Sequence, residues 1–254
     1  MLESKFHFVF SKNDKSQKLK NKLLNKYHNY SPKNSKIIIV CGGDGFMLDA
    51  IKKNYRFNKP FFGINCGTIG FLMNEINFHN LKNEVSESKP ISVSPLVAHI
   101  KTYNKKKFSL LAINEISLLR QTKQTSSIKI KKDNKILQNN LTGDGVILCT
   151  PVGSTAYNYS LRGPILKLNS RKLGLTAISP FKPRKWKGET ISENSKIFFE
   201  NIKSKRPISI VADNSELRNV KNALVRLKKK IKIKLLFKKN HDYNKKIKSL
   251  SILK

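Results

Sequence analysis

A chain of 254 residues, 39% hydrophobic and 9% aromatic, fits a soluble globular protein and can bury one large core or two modest ones without disulfide help; two units are expected. Its 51 Lys and Arg against 16 Asp and Glu leave a formal net charge of +35, which attracts polyanions. The lysines are spread along the whole chain with no localised basic arm, as AT-rich codon usage yields, so no specific nucleic-acid partner is expected.

Residues 5–10, KFHFVF, read as a first strand, and residues 16–30 place Leu19, Leu23, Leu24 and Tyr27 at helical spacing before Ser31 and Pro32 break it. Residues 36–40 form a continuous apolar strand, 42–45 a turn, and Phe46, Met47, Ala50 and Ile51 mark one face of the next helix. A further strand over 60–64 leads to Asn65. This alternation predicts an α/β N-terminal domain with a parallel sheet over residues 1–90.

From Ile91 short β-rich runs follow: SPLVAHIKTY, KFSLLAINEISLLR, SSIKIKKDNKIL, GDGVILCTP, SKIFFEN, RPISIVAD and VRLKKKIKIKLLF. They predict an all-β, sandwich-like C-terminal domain over residues 91–237. Residues 225–237 read as a single strand with a solvated lysine face, and only residues 154–159 and the chain end read as helical there. The tail, 238–254, with a short helix over 244–253, is expected to pack back on the first domain. Cys41, Cys66 and Cys149 are odd in number and lack CxxC spacing, so they read as reduced core thiols. No run approaches 18 apolar residues and the N-terminus has no small-residue cleavage site, which predicts a cytoplasmic protein with no membrane partner.

Chemistry concentrates in four places. In Cys41-Gly42-Gly43-Asp44-Gly45, glycines ending a buried strand let backbone amides approach an anion, and the next helix adds its positive N-terminal end. The spacing is neither GxGxxG nor the P-loop. Asp44 would repel phosphate unless it orients or deprotonates an attacking alcohol and helps to hold Mg²⁺, which points to a kinase acting on a hydroxyl, with Gly42, Gly43 and Gly45 cradling phosphate. Taken alone, GGDG equally suits a turn in which glycine supplies positive φ and the aspartate caps the helix. The second place, GINCGTIGFL from Gly63 to Leu72, is another strand followed by a glycine-rich turn, and two such turns at neighbouring strand ends would meet at one crevice.

The third is Asn114-Glu115 inside the apolar run LLAINEISLL, where an amide and a carboxylate in a buried strand need polar partners. The paired hydroxyls of a sugar would satisfy both, and so would a structural network. The fourth, LTGDGVILCTPVGSTAYNYSLRGPIL, sets small hydroxyl residues beside an aromatic, as an adenine site would. His7, His28, His79, His99 and His241 show no metal-ligand spacing. Trp186, between basic residues, reads as loop packing, with stacking over a base as the alternative.

In this order and at these separations, GGDG, GINCGTIGFL, NEISL, TGDG and TPVGSTAYNYSLRGPIL closely resemble the NAD kinase family, and ISPFKPRKWKGETI and LLFKKNHDYNKKI extend the similarity over nearly the whole chain. The resemblance implies phosphorylation of NAD by ATP to give NADP, with Mg²⁺ or another divalent cation held mainly by the nucleotide phosphates. It also implies an active site between an α/β domain and a β-rich domain, and assembly as a homodimer or homotetramer. By position, Asp44 matches the aspartate proposed to activate the adenosine ribose 2′-hydroxyl, and Gly45 abuts the nucleotide. Asn114 and Glu115 match the NAD-binding pair, and Asp144 a second acidic contact offered across a subunit interface. Thr155, Ala156, Tyr157 and Ser160 match positions lining the adenine and nicotinamide pockets, with Val152, Asn158 and Tyr159 counted as NAD-binding beside them. Val152 replaces a common Thr, and Arg162 stands where many members have the first of two glycines. Asp213 and Asn214 fall near another contact region, with no role assigned. Because diacylglycerol, sphingosine and phosphofructo kinases share GGDG, a lipid or other small-alcohol kinase is the alternative, and a basic nucleic-acid-binding protein a further one; neither explains TPVGSTAY.

Overall fold

The computed structural model describes residues 5–68, 70–75 and 80–238. The chain forms two compact units, Met1–Val93 with Lys232–Lys254, and Ser94–Ile231. The helix expected over 244–253 lies outside the described residues, as do His79 and His241.

In the first unit, β1 (Phe6–Phe10), β2 (Ile37–Gly42), β3 (Phe61–Asn65), β4 (Lys89–Val93) and β17 (Ile233–Phe237) form one sheet in the order β1-β2-β3-β17-β4. The first four strands in that order run parallel and β4 is antiparallel at the edge. Ile38, Ile39, Val40 and Cys41 of β2 and Phe61 and Phe62 of β3 are all buried, as the continuous apolar runs of a two-sided parallel sheet require. Helix α1 (Asp14–Lys26) starts at Asn13, whose side chain accepts the Ser16 amide, and turns Leu19 and Leu23 inward. It stops at Lys26 rather than residue 30, because Tyr27 goes extended and its ring packs with Phe6 and Phe8. Helices α2 (Asp44–Asn54) and α3 (Leu81–Ser86) complete the unit; α3 is short and has no periodic signature in the sequence.

The second unit is antiparallel throughout. One six-stranded sheet contains β7 (Glu115–Arg120), β10 (Gly145–Cys149), β11 (Lys172–Ile178), β12 (Gly188–Ser192), β14 (Ile208–Ala212) and β15 (Ser215–Leu217). The other contains β5 (Leu96–Thr102), β6 (Lys107–Ala112), β8 (Ser126–Lys132), β9 (Lys135–Gly143), β13 (Ile197–Asn201) and β16 (Val220–Leu227). Ile116, Leu118, Val146, Leu148 and Leu175 from the first join Leu96, Ile100, Ile128, Ile130 and Phe199 from the second in one core, so the unit is a sandwich. Trp186 is partly buried against this core, which gives it a packing role. Asp133 and Asn134, at φ 49° and 68°, make the two-residue hairpin between β8 and β9.

Two single runs of the sequence divide. KFSLLAINEISLLR is two strands in different sheets, broken at Ile113 and Asn114. Residues 225–237 are likewise two strands: β16 ends in the sandwich and β17 enters the first sheet between β3 and β4. The chain therefore returns to the first unit at Lys232, before Phe237. Buried Asn74 fixes that return: its amide donates to Gly63 O at 3.1 Å and Leu236 O at 2.9 Å, and its oxygen accepts the Lys238 amide at 3.0 Å. Among the described residues no helix is long and apolar enough to cross a membrane.

Candidate active site

Strand β2 ends at Gly42, opposite Asn65 at the end of β3, and Gly42 O accepts the Cys66 amide at 2.8 Å. The two glycine-rich turns thus lie side by side, because parallel strands in register finish at the same edge. Gly43 is the N-cap of α2 with φ −113° and ψ −178°, an extended backbone open to any residue, and it offers no side chain to the first amides of the helix. A Cβ added at Gly43 or Gly45 would meet nothing within 4 Å. Neither backbone angle nor protein packing demands glycine there; what its small size leaves is unobstructed approach to a helix N-terminus.

Asp44 is the first residue of α2. Its Oδ2 accepts the Phe71 amide at 2.7 Å and its Oδ1 the Leu72 amide at 2.9 Å. Gly70 is required by this approach, since a Cβ there would lie 3.2 Å from Asp44 Oδ1 and 2.7 Å from Met73 Cγ. The carboxylate therefore binds the second glycine-rich turn to the first.

In the second unit, Asn114 and Glu115 sit at the break where the chain changes sheets, not within a continuous strand. Asp213, in the hairpin after β14, accepts the Ile113 amide on Oδ2 at 2.9 Å and the Asn114 and Glu115 amides on Oδ1 at 2.8 and 3.3 Å. Its own amide donates to Glu115 O at 3.1 Å. From the other side, Thr150 Oγ1 donates to Ile113 O at 2.7 Å and the Thr150 amide to Asn114 O at 2.8 Å. The backbone of all three residues is thereby spent, while the side-chain oxygen of Asn114 is buried with no partner among the described residues. An acceptor of this kind is one that a ligand donor can satisfy.

The loop after β10 is seated on this break. A Cβ on Gly153 would fall 2.2 Å from Asn114 O, so only glycine allows the contact. Buried Ser154 holds the loop closed, donating to Pro151 O at 2.7 Å and accepting the Leu166 amide at 3.0 Å. Asn158 is buried and fully engaged: its amide donates to Ser154 O and Pro164 O, and its oxygen accepts Thr176 Oγ1 at 2.7 Å. Counted from the sequence among NAD-binding residues, it is tied into the loop by these three bonds, and Val152 beside it is buried. Thr155 is also buried, Ala156 and Tyr159 are half-buried, and Tyr157 and Ser160 are exposed. Partial burial raises the Tyr157 phenol above its ordinary value, and the nearby Asp144 and Glu115 carboxylates push it the same way. That places one phenol and two carboxylates within electrostatic reach. Asp144 is paired within the chain, with Arg120 Nε at 2.5 Å from its Oδ1. Arg162 adopts φ 59°, the left-handed backbone that a glycine at this point would take without strain.

The family described as the ATP-NAD kinase C-terminal domain matches residues 113–229, from the strand break to just beyond β16. An NAD kinase from Zymomonas mobilis is 42% identical over 236 residues, 92% of each chain. One from Brucella suis is 38% identical over 242 residues, 95% of this chain and 94% of that one. Among solved structures, a yeast NADH kinase complexed with NADH superposes with a TM-score of 0.77 at 23% identity, covering 89% of this chain and 70% of that one. An NAD kinase from Archaeoglobus fulgidus in complex with ATP gives 0.73 at 22% identity, covering 97% and 96%. A phosphotransferase fold with an α/β unit and an antiparallel β unit is thus shared. The chain belongs to the NAD kinase family.

Proposed function

We propose that this protein is an ATP-dependent NAD kinase that transfers the γ-phosphoryl group of ATP to the 2′-hydroxyl of the adenosine ribose of NAD, making NADP and ADP. Family membership supports the reaction class. The observation that carries the residue roles is the buried, unpartnered oxygen of Asn114 beside Glu115, an acceptor built for a donor such as a ribose hydroxyl. Asn114 and Glu115 hold the nucleoside, and Thr155, Ala156, Tyr157 and Ser160 line its ring pockets. Gly42, Gly43 and Gly45 at the start of α2 cradle phosphate.

In the step itself, the 2′-oxygen forms a bond to the γ-phosphorus as the bond from that phosphorus to the β–γ bridging oxygen breaks. Asp44 accepts or orients the hydroxyl proton, and ADP leaves. The two amide bonds to Phe71 and Leu72 fix the carboxylate's direction before substrate binds, so positioning supplies much of the rate. A divalent cation, Mg²⁺ or another, would be held mainly by the nucleotide phosphates with help from Asp44, and would supply neutralisation of their charge.

We place the enzyme in the cytoplasm, a reducing compartment suited to its three free, buried cysteines, as a homodimer or homotetramer. The test is incubation of the purified protein with NAD, ATP and Mg²⁺, reading NADP with an NADP-specific dehydrogenase. NADP formation is expected; its absence, with phosphorylation of a lipid or another alcohol instead, would overturn the assignment.

A further inference from the structure

We propose that Asp213 is a positioning residue for this reaction: its carboxylate sets the Ile113–Asn114–Glu115 backbone so that the Asn114 oxygen and Glu115 carboxylate face the ribose before substrate arrives. The proposal rests on the NAD-kinase reading of those two side chains.

The geometry carries it. The ladder between β7 and β14 ends with Ile116 opposite Ala212. Beyond that rung the Asp213 amide still reaches Glu115 O, and the amides of residues 113–115 turn to the Asp213 side chain. One carboxylate takes all three, two on Oδ1 and one on Oδ2. Asp213 sits at φ 52°, in the left-handed region, where the chain turns from β14 into β15. Asp and Asn are the side-chain-bearing residues that best tolerate that backbone. Thr150 completes the grip from the opposite side through the carbonyls of Ile113 and Asn114. Fixing three successive residues, one of which holds a buried acceptor in reserve, removes the freedom of the side chains that meet the substrate.

Asp213→Asn isolates the effect. It preserves size and tolerance of the left-handed backbone, but one oxygen becomes an NH₂ turned against an amide N–H, so one or more of the three bonds is lost. Wild type, D213N, N114A and the double variant are compared in steady state, varying NAD and ATP separately, with a thermal melt for each. D213N is expected to raise KM for NAD about tenfold or more while KM for ATP moves less than about twofold. In the N114A background the same change should add less, because only the Glu115 carboxylate is left to position.

An unchanged KM for NAD, an equal rise in both KM values, or a full D213N effect in the N114A background would each overturn the proposal. Should D213N fail to fold, Thr150→Val removes the hydroxyl's bond to Ile113 O and the one it accepts from the Gly153 amide, at nearly constant shape, and should move KM for NAD in the same direction. Wild-type protein that makes no NADP would refute the NAD reading itself. In that event amide exchange at residues 113–115, unchanged between wild type and D213N, would refute the clamp separately, and faster exchange in D213N would uphold it.

Discussion

Replacing Gly153 by alanine would set a methyl carbon 2.2 Å from Asn114 O and 2.4 Å from its carbonyl carbon, against an ordinary contact beginning at 3.4 Å. The atoms it meets are backbone, held by Thr150 and Asp213, so they cannot swing aside as a side-chain tip could. The loop carrying residues 150–160 must therefore lift by about 1.2 Å, a displacement of the size that costs roughly 100-fold in rate when it separates groups meeting one substrate. Overpacking of this kind also destabilises by about 1–3 kcal/mol. The expected result for G153A is a folded protein with a lowered melting temperature and kcat/KM for NAD reduced about 100-fold, or about 2.7 kcal/mol of transition-state stabilisation. The coupled NADP assay gives the first quantity and a thermal melt the second. Wild-type kcat/KM in a G153A protein would show that the loop and the Asn114 break do not act together.

Other substitutions separate the remaining roles. Asp44→Asn should lower kcat about 10²–10⁴-fold with much less change in KM for NAD, checked by steady-state kinetics; full turnover would remove Asp44 from the chemistry. Asn114→Ala should raise KM for NAD about tenfold without lowering the melting temperature, since the acceptor it deletes has no partner among the described residues. Burial pushes the Cys149 thiol from 9.0 up to about 12, with the Glu115 carboxylate adding to the rise and the Gly174 amide opposing it. At pH 8 the native thiol should react with iodoacetamide at least about a thousandfold more slowly than in denaturant. Because the folded state holds this proton more tightly than the unfolded one, the linkage is neutral below pH 9. Stability then falls as pH rises from there toward 12, by on the order of 4 kcal/mol if the chain stays folded that far, readable by denaturant melts.

The α/β unit was legible because its signals are local. A two-sided parallel strand is a continuous apolar run, and the turns at Gly42 and Asn65 are marked in sequence. What the sequence concealed depended on distant partners. The break at Ile113 and Asn114 is invisible in LLAINEISLL because both halves are apolar and both are strands; only their assignment to different sheets distinguishes them. The run over 225–237 hides its change of unit for the same reason, since lysines in 228–232 look like one solvated face. Asp213 and Asn74 act across about a hundred residues or more of chain, and no local pattern announces such a partner. One signal was available for Asp213: an Asp-Asn pair directly after an apolar strand, a composition suited to a left-handed turn. Asn158 shows the reverse. Its place inside a specific motif suggested ligand contact, and its three internal hydrogen bonds tie it to the loop.

Strand β17 comes from the far end of the described chain yet lies between β3 and β4. A nascent polypeptide therefore carries its GGDG turn on a three-stranded sheet whose β3 edge is unpaired, with β4 lacking its partner, until about residue 237 has cleared the ribosome, after the whole sandwich has emerged. Premature termination anywhere upstream leaves a fragment that holds the motif but has no closed platform beneath it, and such fragments should be cleared by proteolysis rather than persist as partial enzymes.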